Sequence, residues 1–143
     1  MTTKWYGLGM EFVVEQSLDF LSDTIKVAMT TSSYTPNQDT HNYFDDVTNE
    51  VSGTGYTAGG ETLASKTVTY DAASQRVWLN AADVEWTTAT ITDARYAVIY
   101  KSTGVASTSP LLAYIDFGAN KSSSAASFEL QFAADDILYI DVT

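Results

Sequence analysis

Apolar residues recur along this chain mostly with a period of two. Phe128, Leu130 and Phe132 alternate with Glu129 and Gln131. Thr67-Val68-Thr69-Tyr70 and Arg76-Val77-Trp78-Leu79 alternate too, with Asp71-Ala72-Ala73-Ser74 between them. Alternation sends one side-chain set to a core and the other to water, which is how a strand reads. The short polar spacer predicts a hairpin. Tyr96-Ala97-Val98-Ile99-Tyr100 is apolar throughout and predicts a strand covered on both faces. Leu111 to Phe117 reads as another central strand, after which Gly118-Ala119-Asn120-Lys121 and a serine cluster predict a turn. Thr24 to Thr30 is the first clear strand. Ile137 to Val142 is the last, opened by Asp135-Asp136.

Seven or eight short strands of β-branched and aromatic residues predict an all-β fold, an antiparallel β-sandwich or jelly-roll-like arrangement. Two segments read as helical. Met10 to Leu21 carries Phe12, Val13, Gln16 and Phe20 at near-helical offsets, and Asn42 to Val47 fits one turn. Residues 1–21 form an N-terminal arm or short helix, and residues 22–143 a single β domain. Strands alternating with long helices are missing from the pattern, which argues against a nucleotide-binding α/β fold.

Composition narrows the chemistry. A length of 143 residues with 45% hydrophobic content suits one globular core. No apolar run is long enough to span a membrane, and the N-terminus does not read as a signal peptide. The chain has no cysteine, which excludes disulfides, thiolate metal sites and cysteine nucleophiles. Its formal net charge is -11, from 18 acidic and 7 basic residues. Such a surface repels nucleic acid, whose affinity comes from Lys and Arg neutralising phosphates. It suits an acidic solvated exterior, a basic partner or calcium.

The stretch GTGYTAGGET, Gly53 to Thr62, nearly spells a phosphate-binding loop. Such a loop needs a lysine for the outer charge and a helix N-terminus behind it. Here Glu61 stands in place of the lysine, and a strand-like segment comes next. The glycines read instead as suppliers of positive φ in a long connection from about Pro36 to Gly60. Connections of that length carry function or are ordered by a neighbour. His41 is the sole histidine and lies among polar residues without a G-x-S-x-G motif, so it reads as a solvated side chain. Asp39, His41, Asp45 and Asp46 fall within eight positions, but the calcium-loop pattern fails for want of the required Gly and Glu. Asp45-Asp46 reads as a cap on a helical turn, with calcium as the open alternative. Glu85 beside Trp86 and Glu61 near Tyr56 are the aromatic-flanked carboxylates. Trp78 and Trp86 read as core residues. Exposed aromatics such as Trp5 or Trp86 stacking on sugar rings make a carbohydrate-binding module a second reading.

The N-terminal segment is unusually apolar, with Trp5, Tyr6, Leu8, Met10, Phe12, Val13 and Val14 ahead of the first strand. It packs either on its own domain or on a neighbouring subunit. The candidate partner contacts are Trp5, Tyr6, Leu8, Met10 and Phe12 in this arm, with Tyr34, His41, Tyr43, Phe44 and Tyr56 in and around the long connection.

The run DTIKVAMTTSSYTPNQDTHNYFDDVTNEVSGTGYTAGG, with ARYAVIYK, STSPLLAYIDFG and SFELQF, resembles a group of small tailed-bacteriophage proteins encoded among virion genes. The resemblance spans about Ser22 to Val142. It implies a non-enzymatic β-rich virion component and supplies no catalytic, cofactor or metal residues. Within that group, a capsid decoration (cement) protein on the outer shell is expected, with a tail or neck component as the alternative. The implied partners are the major capsid protein or other virion proteins and further copies of the chain, a trimer favoured, with neither nucleic acid nor membrane. The implied location is the virion.

Overall fold

Two strands carry most of the architecture. β6 (Val84–Lys101) and β7 (Leu111–Leu130) form one long antiparallel hairpin, paired from Tyr100 opposite Leu111 to Val84 opposite Leu130. A computed structural model describes residues 1–132 and 137–142 of the chain; the expected turn at Asp135 and Asp136 lies outside them.

Among the described residues, eight strands form two antiparallel sheets. β1 (Thr2–Trp5), β7, β6, β2 (Ile25–Thr31) and the two-residue β3 (Glu61–Thr62) make the larger sheet, in that order. β4 (Thr67–Asp71), β5 (Arg76–Asn80) and β8 (Leu138–Asp141) make the smaller one. The β4–β5 hairpin is the one expected from alternation. Its turn is closed by Asp71, whose carboxylate accepts the Ala73 N–H at 3.0 Å and the Ser74 hydroxyl at 2.6 Å.

Period-two patterning builds the core. Ile25, Val27 and Met29 of β2, Ala97 and Ile99 of β6, and Ala113 and Ile115 of β7 project from one face of the larger sheet. They join Leu79 and Leu138 of the smaller sheet in one buried cluster. Trp86, Ala89 and Ile91 extend it along the far half of β6. Ala28, Val98, Tyr100 and Leu111 project from the opposite face and form a second cluster with Tyr6 and Tyr34. Tyr96–Tyr100 is therefore covered on both sides, as its unbroken apolar run predicts.

The turn expected from Gly118 into the serine cluster is instead strand. The ladder with β6 continues through Ala94–Lys121, Ile91–Ser123 and Ala89–Ala126 with repeated register shifts. Positive φ at Thr88, Asp93, Gly118 and Ala125 bends the ribbon at these shifts. The serines lie beside these shifts, and their hydroxyls bond backbone groups of β6 there. Ser123 Oγ donates to the Ala89 carbonyl at 2.8 Å, and Ser122 Oγ accepts the Asp93 N–H at 2.9 Å.

The expected helix at Met10–Leu21 is shifted. α1 spans Gly7–Val14 and ends where Gln16 takes φ 63°. Gly9 fixes its seat: a Cβ there would lie 2.6 Å from the Leu111 carbonyl oxygen, so only glycine lets the helix lie this close on β7. Beyond α1, Leu18 and Phe20 leave the helical path and plug the core. Asn42–Val47 contains the expected turn as a 3-10 segment, Phe44–Asp46.

Candidate interaction surface

The arm and the long connection meet on one side of the larger sheet. β1 adds to the edge of β7, with Thr2 opposite Asp116 and Trp5 opposite Ala113. The Tyr6 N–H donates to the Leu112 carbonyl at 3.0 Å, and Gly7 N–H donates to the Gln38 carbonyl at 2.9 Å. The Gln38 amide donates back to the Trp5 carbonyl at 2.6 Å. The Phe12 and Tyr43 rings pack at 5.4 Å between centroids. Of the two placements open to the arm, the chain adopts packing on its own domain.

Tyr6 and Tyr34 are correspondingly core residues rather than contact residues, at 0% and 2% exposure. Their hydroxyls lie 2.8 Å apart, and Tyr34 Oη lies 2.9 Å from His41 Nδ1. The Asn37 N–H also reaches that Nδ1, at 3.3 Å. Nδ1 is thus the acceptor, which orients the relay Tyr6 to Tyr34 to His41. His41 is half-buried and stacks on Tyr34, not solvated as its polar neighbours imply. Burial pushes the Tyr6 hydroxyl far above its ordinary pKa and raises Tyr34 to about 12.

The glycine-rich stretch docks on the sheet. Glu50 closes it: one carboxylate oxygen accepts the Tyr56 hydroxyl at 2.7 Å and the Gly59 N–H at 2.6 Å. Tyr56 Oη also accepts the Met29 N–H at 3.0 Å, and its ring stacks on Trp86. Burial, then the Glu50 bond, raises the Tyr56 pKa well beyond its ordinary value. Tyr100 donates to the Gly59 carbonyl at 2.7 Å and lies face to face with Phe44, 4.0 Å between centroids. Burial takes Tyr100 to about 12. Gly60, at φ 70°, places its Cα so close to β2 that a Cβ would sit 1.8 Å from the Val27 carbonyl oxygen. The positive φ expected of this loop is present, and it serves close approach to the strands. Immediately after Gly60 the chain enters β3, paired to β2, and not a helix.

The remaining candidates sit around this layer. Leu8, Met10, Phe12, Tyr43 and Phe44 are half-buried. Phe12 and Tyr43 line a cleft of about 290 Å³ with Lys101 and Pro110. Lys101 Nζ is held by Asp23 at 2.9 Å and by the Ser17 carbonyl at 2.9 Å. Glu11, Glu15, Asp39 and Asp45 are exposed nearby. Asp46 accepts the Asn42 N–H at 2.8 Å, the capping role expected for this pair. Among the described residues no group of three or more His, Cys, Asp or Glu is placed to hold a metal ion. No helix among them is long and apolar enough to cross a membrane.

The tryptophans sort differently from expectation. Trp86 is buried at 2% and joins the core, so it is closed to a sugar. Trp5 is half-buried and donates its indole N–H to the Tyr139 carbonyl at 3.0 Å. Trp78 faces outward instead of into the core. It pairs across the strands with Tyr139, and the Arg76 guanidinium lies 5.5 Å from the Trp78 ring and 4.1 Å from the Tyr139 ring. The alternation itself carries this signal: Val77 and Leu79 face inward, so Trp78 must face out. No protein-family model, curated protein or solved structure matches the chain.

Proposed function

We propose that this chain is a structural virion protein of a tailed bacteriophage, a decoration protein that binds the outer shell of the capsid and stabilises the head. The carrying observation is the sequence run from Asp23 to Gly60 and its companions ARYAVIYK, STSPLLAYIDFG and SFELQF. The geometry is compatible with that role. The same run builds a fixed aromatic layer over the larger sheet, bounded by exposed carboxylates. The net charge of -11 suits the outside of a particle better than its DNA-filled interior. We read the two sheets as a β-sandwich, with a jelly roll as the narrower form. Cement action would be mass-action stabilisation, in which many weak contacts favour only the assembled state. The shell protein and sister copies are the proposed partners, with a tail or neck position as the alternative.

Imaging purified particles with and without the protein tests this. Regular density on the shell, with depleted particles bursting at lower temperature, is the expected result. Density confined to tail or neck refutes decoration, and absence from the particle refutes the virion reading. A second reading, a glycan- or receptor-binding module, rests on the outward Trp78–Tyr139 pair; a flat glycan array removes it.

A further inference from the structure

A single turn anchors the junction between β1 and α1. Residues 37–41 close on themselves. The His41 N–H donates to the Asn37 carbonyl at 3.2 Å, and the Asn37 N–H donates back to His41 Nδ1 at 3.3 Å. The Asn37 side-chain oxygen accepts the Asp39 and Thr40 N–H groups at 3.0 and 3.2 Å. Gln38, inside this turn, grips the arm on both sides of Tyr6. Its amide donates to the Trp5 carbonyl, and its own carbonyl accepts the Gly7 N–H. Tyr6 is tied to the same turn by another route, through the Tyr34 hydroxyl to His41. Trp5, Tyr6 and Gly7 therefore all depend on the turn that His41 closes.

The protons of this relay balance only around a neutral imidazole. Tyr6 donates to Tyr34, Tyr34 donates to Nδ1, and Nδ1 also accepts the Asn37 N–H. An imidazolium carries hydrogen on both ring nitrogens and accepts nothing. Tyr34 Oη can take the new Nδ1 hydrogen only by turning its own hydrogen toward Tyr6. The Tyr6 hydroxyl, at a residue 0% exposed, has no other hydrogen-bond partner among the described residues, so its hydrogen is stranded. The Asn37 N–H and the Nδ1 hydrogen then face each other, donor against donor.

No surrounding group repairs these losses. Asp46, in the 3-10 segment, acts on both Tyr6 and Tyr34, and its carboxylate is engaged by the Asn42 and Tyr43 N–H groups. It attracts an imidazolium but supplies neither missing acceptor. Tyr114 of β7 packs on Tyr6, and Tyr96 of β6 packs edge-on to Tyr34; both phenols are uncharged in acid. Arg95 lies over the Tyr96 ring and is held by Asp116. Asp39 is exposed on the turn itself.

We infer that His41 is an acid-sensitive latch on the N-terminal arm. Neutral, it holds β1 and α1 on the domain; protonated, it loosens turn 37–41 and with it the Gln38 grip on Trp5 and Gly7. His41 is half-buried, so a proton reaches it without global unfolding. The segment released is the apolar one that carries Leu8, Met10 and Phe12. The latch stands independently of the virion reading, because it rests on contacts within one chain.

The test is amide hydrogen exchange of the full chain by NMR, from about pH 7.5 to about pH 5.5, corrected for the intrinsic pH dependence of exchange. The His41 ring-proton shift is followed on the same samples. His41 is the sole histidine and carboxylates ordinarily titrate near pH ~4, which leaves the α-amino group as the other titrating group in this window. Protection of the Tyr6, Gly7 and Met10 amides should fall at least about tenfold, with a midpoint matching the His41 titration. The amides of β2 and of the Tyr96–Tyr100 run should keep their protection. His41→Asn retains an acceptor oxygen near the Nδ1 position and takes up no charge, so its arm should stay protected at both ends of the range. Unchanged arm protection in wild type, an equal loss across the sheet, or the same acid loss in His41→Asn would overturn the proposal. Should His41→Asn fail to fold, the two wild-type midpoints still decide: arm opening that does not follow the His41 titration refutes the latch.

Discussion

Alkaline pH should unfold this protein through its buried tyrosines. Tyr6, Tyr34, Tyr56 and Tyr100 all have folded pKa values raised above the ordinary 10.0, with burial the largest cause in each. A raised folded value means that the native state keeps its proton where the unfolded chain has lost it. The stability from each group is therefore complete below pH 10 and is lost as pH climbs toward the folded value. For Tyr34 and Tyr100 the window is pH 10 to about 12. Within it each retained proton costs about 1.4 kcal/mol per pH unit. Four together cost about 5 kcal/mol per unit, which consumes an ordinary domain stability of about 5–15 kcal/mol over one to three units. Far-ultraviolet dichroism and tyrosinate absorbance, recorded on one sample through the titration, should change together in a single steep step. Tyr100→Phe removes one proton from the balance and only one hydrogen bond, to the Gly59 carbonyl. It should lower the pH slope of stability by about a quarter. Complete tyrosine ionisation by about pH 11 with the sheet signal intact would contradict this account.

Glycine positions, the buried indole, one ion pair and the arm each give a further outcome. Gly60→Ala meets both a positive φ and the Val27 carbonyl, whereas Gly104→Ala meets a positive φ of 86° and open space. Thermal melts should show Gly60→Ala costing at least about 2 kcal/mol more, since Gly104→Ala carries only the local φ penalty of about 1 kcal/mol. Trp86→Ala should cost about 3–5 kcal/mol through its cavity. Trp86→Phe should cost far less in urea unfolding, because the indole N–H has no partner among the described residues to lose. Asp116 is held below its ordinary pKa by its bond to Arg95, so its stabilisation is present above pH 3.8 and fades as pH falls below that. The pair is partly exposed, so Asp116→Asn should lower the urea midpoint by an equivalent of at most about 1 kcal/mol at pH 6. Deleting residues 2–12 removes β1, Tyr6 and most of α1. It should destabilise the whole domain, seen as a broadened melt, rather than trim a loose arm.

The β4–β5 hairpin was legible because both its signals are local: alternation in two short runs and an aspartate that closes its own turn. Tyr96–Tyr100 was legible because a strand buried on both faces has no polar side to hide. The far half of the β6–β7 ribbon was not. Gly118 and the serines carry turn propensity, and only the opposing strand, with its bulges at Thr88 and Asp93, holds them extended. That override comes from partners some thirty residues away in sequence, such as Ala89 for Ser123. For the candidate surface, composition identified the aromatic residues but not their direction. Tyr34 reads as a loop residue and becomes core because Tyr6, 28 positions earlier, reaches its hydroxyl. Trp78 reads as core although its neighbours Val77 and Leu79 already fix it outward.

The pairing of β1 with β7 also governs the order in which the chain can be built on the ribosome. Thr2 to Trp5 leave the ribosome well before their ladder partners, Ala113 to Asp116. At about 5–20 residues per second, roughly 5 to 20 seconds pass before those partners are synthesised. During that interval Trp5, Tyr6, Leu8, Met10 and Phe12 have no sheet to dock on. This apolar stretch thus waits for its place while most of the chain is made, which makes it a binding target for nascent-chain chaperones and a segment prone to premature self-association when synthesis is fast or crowded.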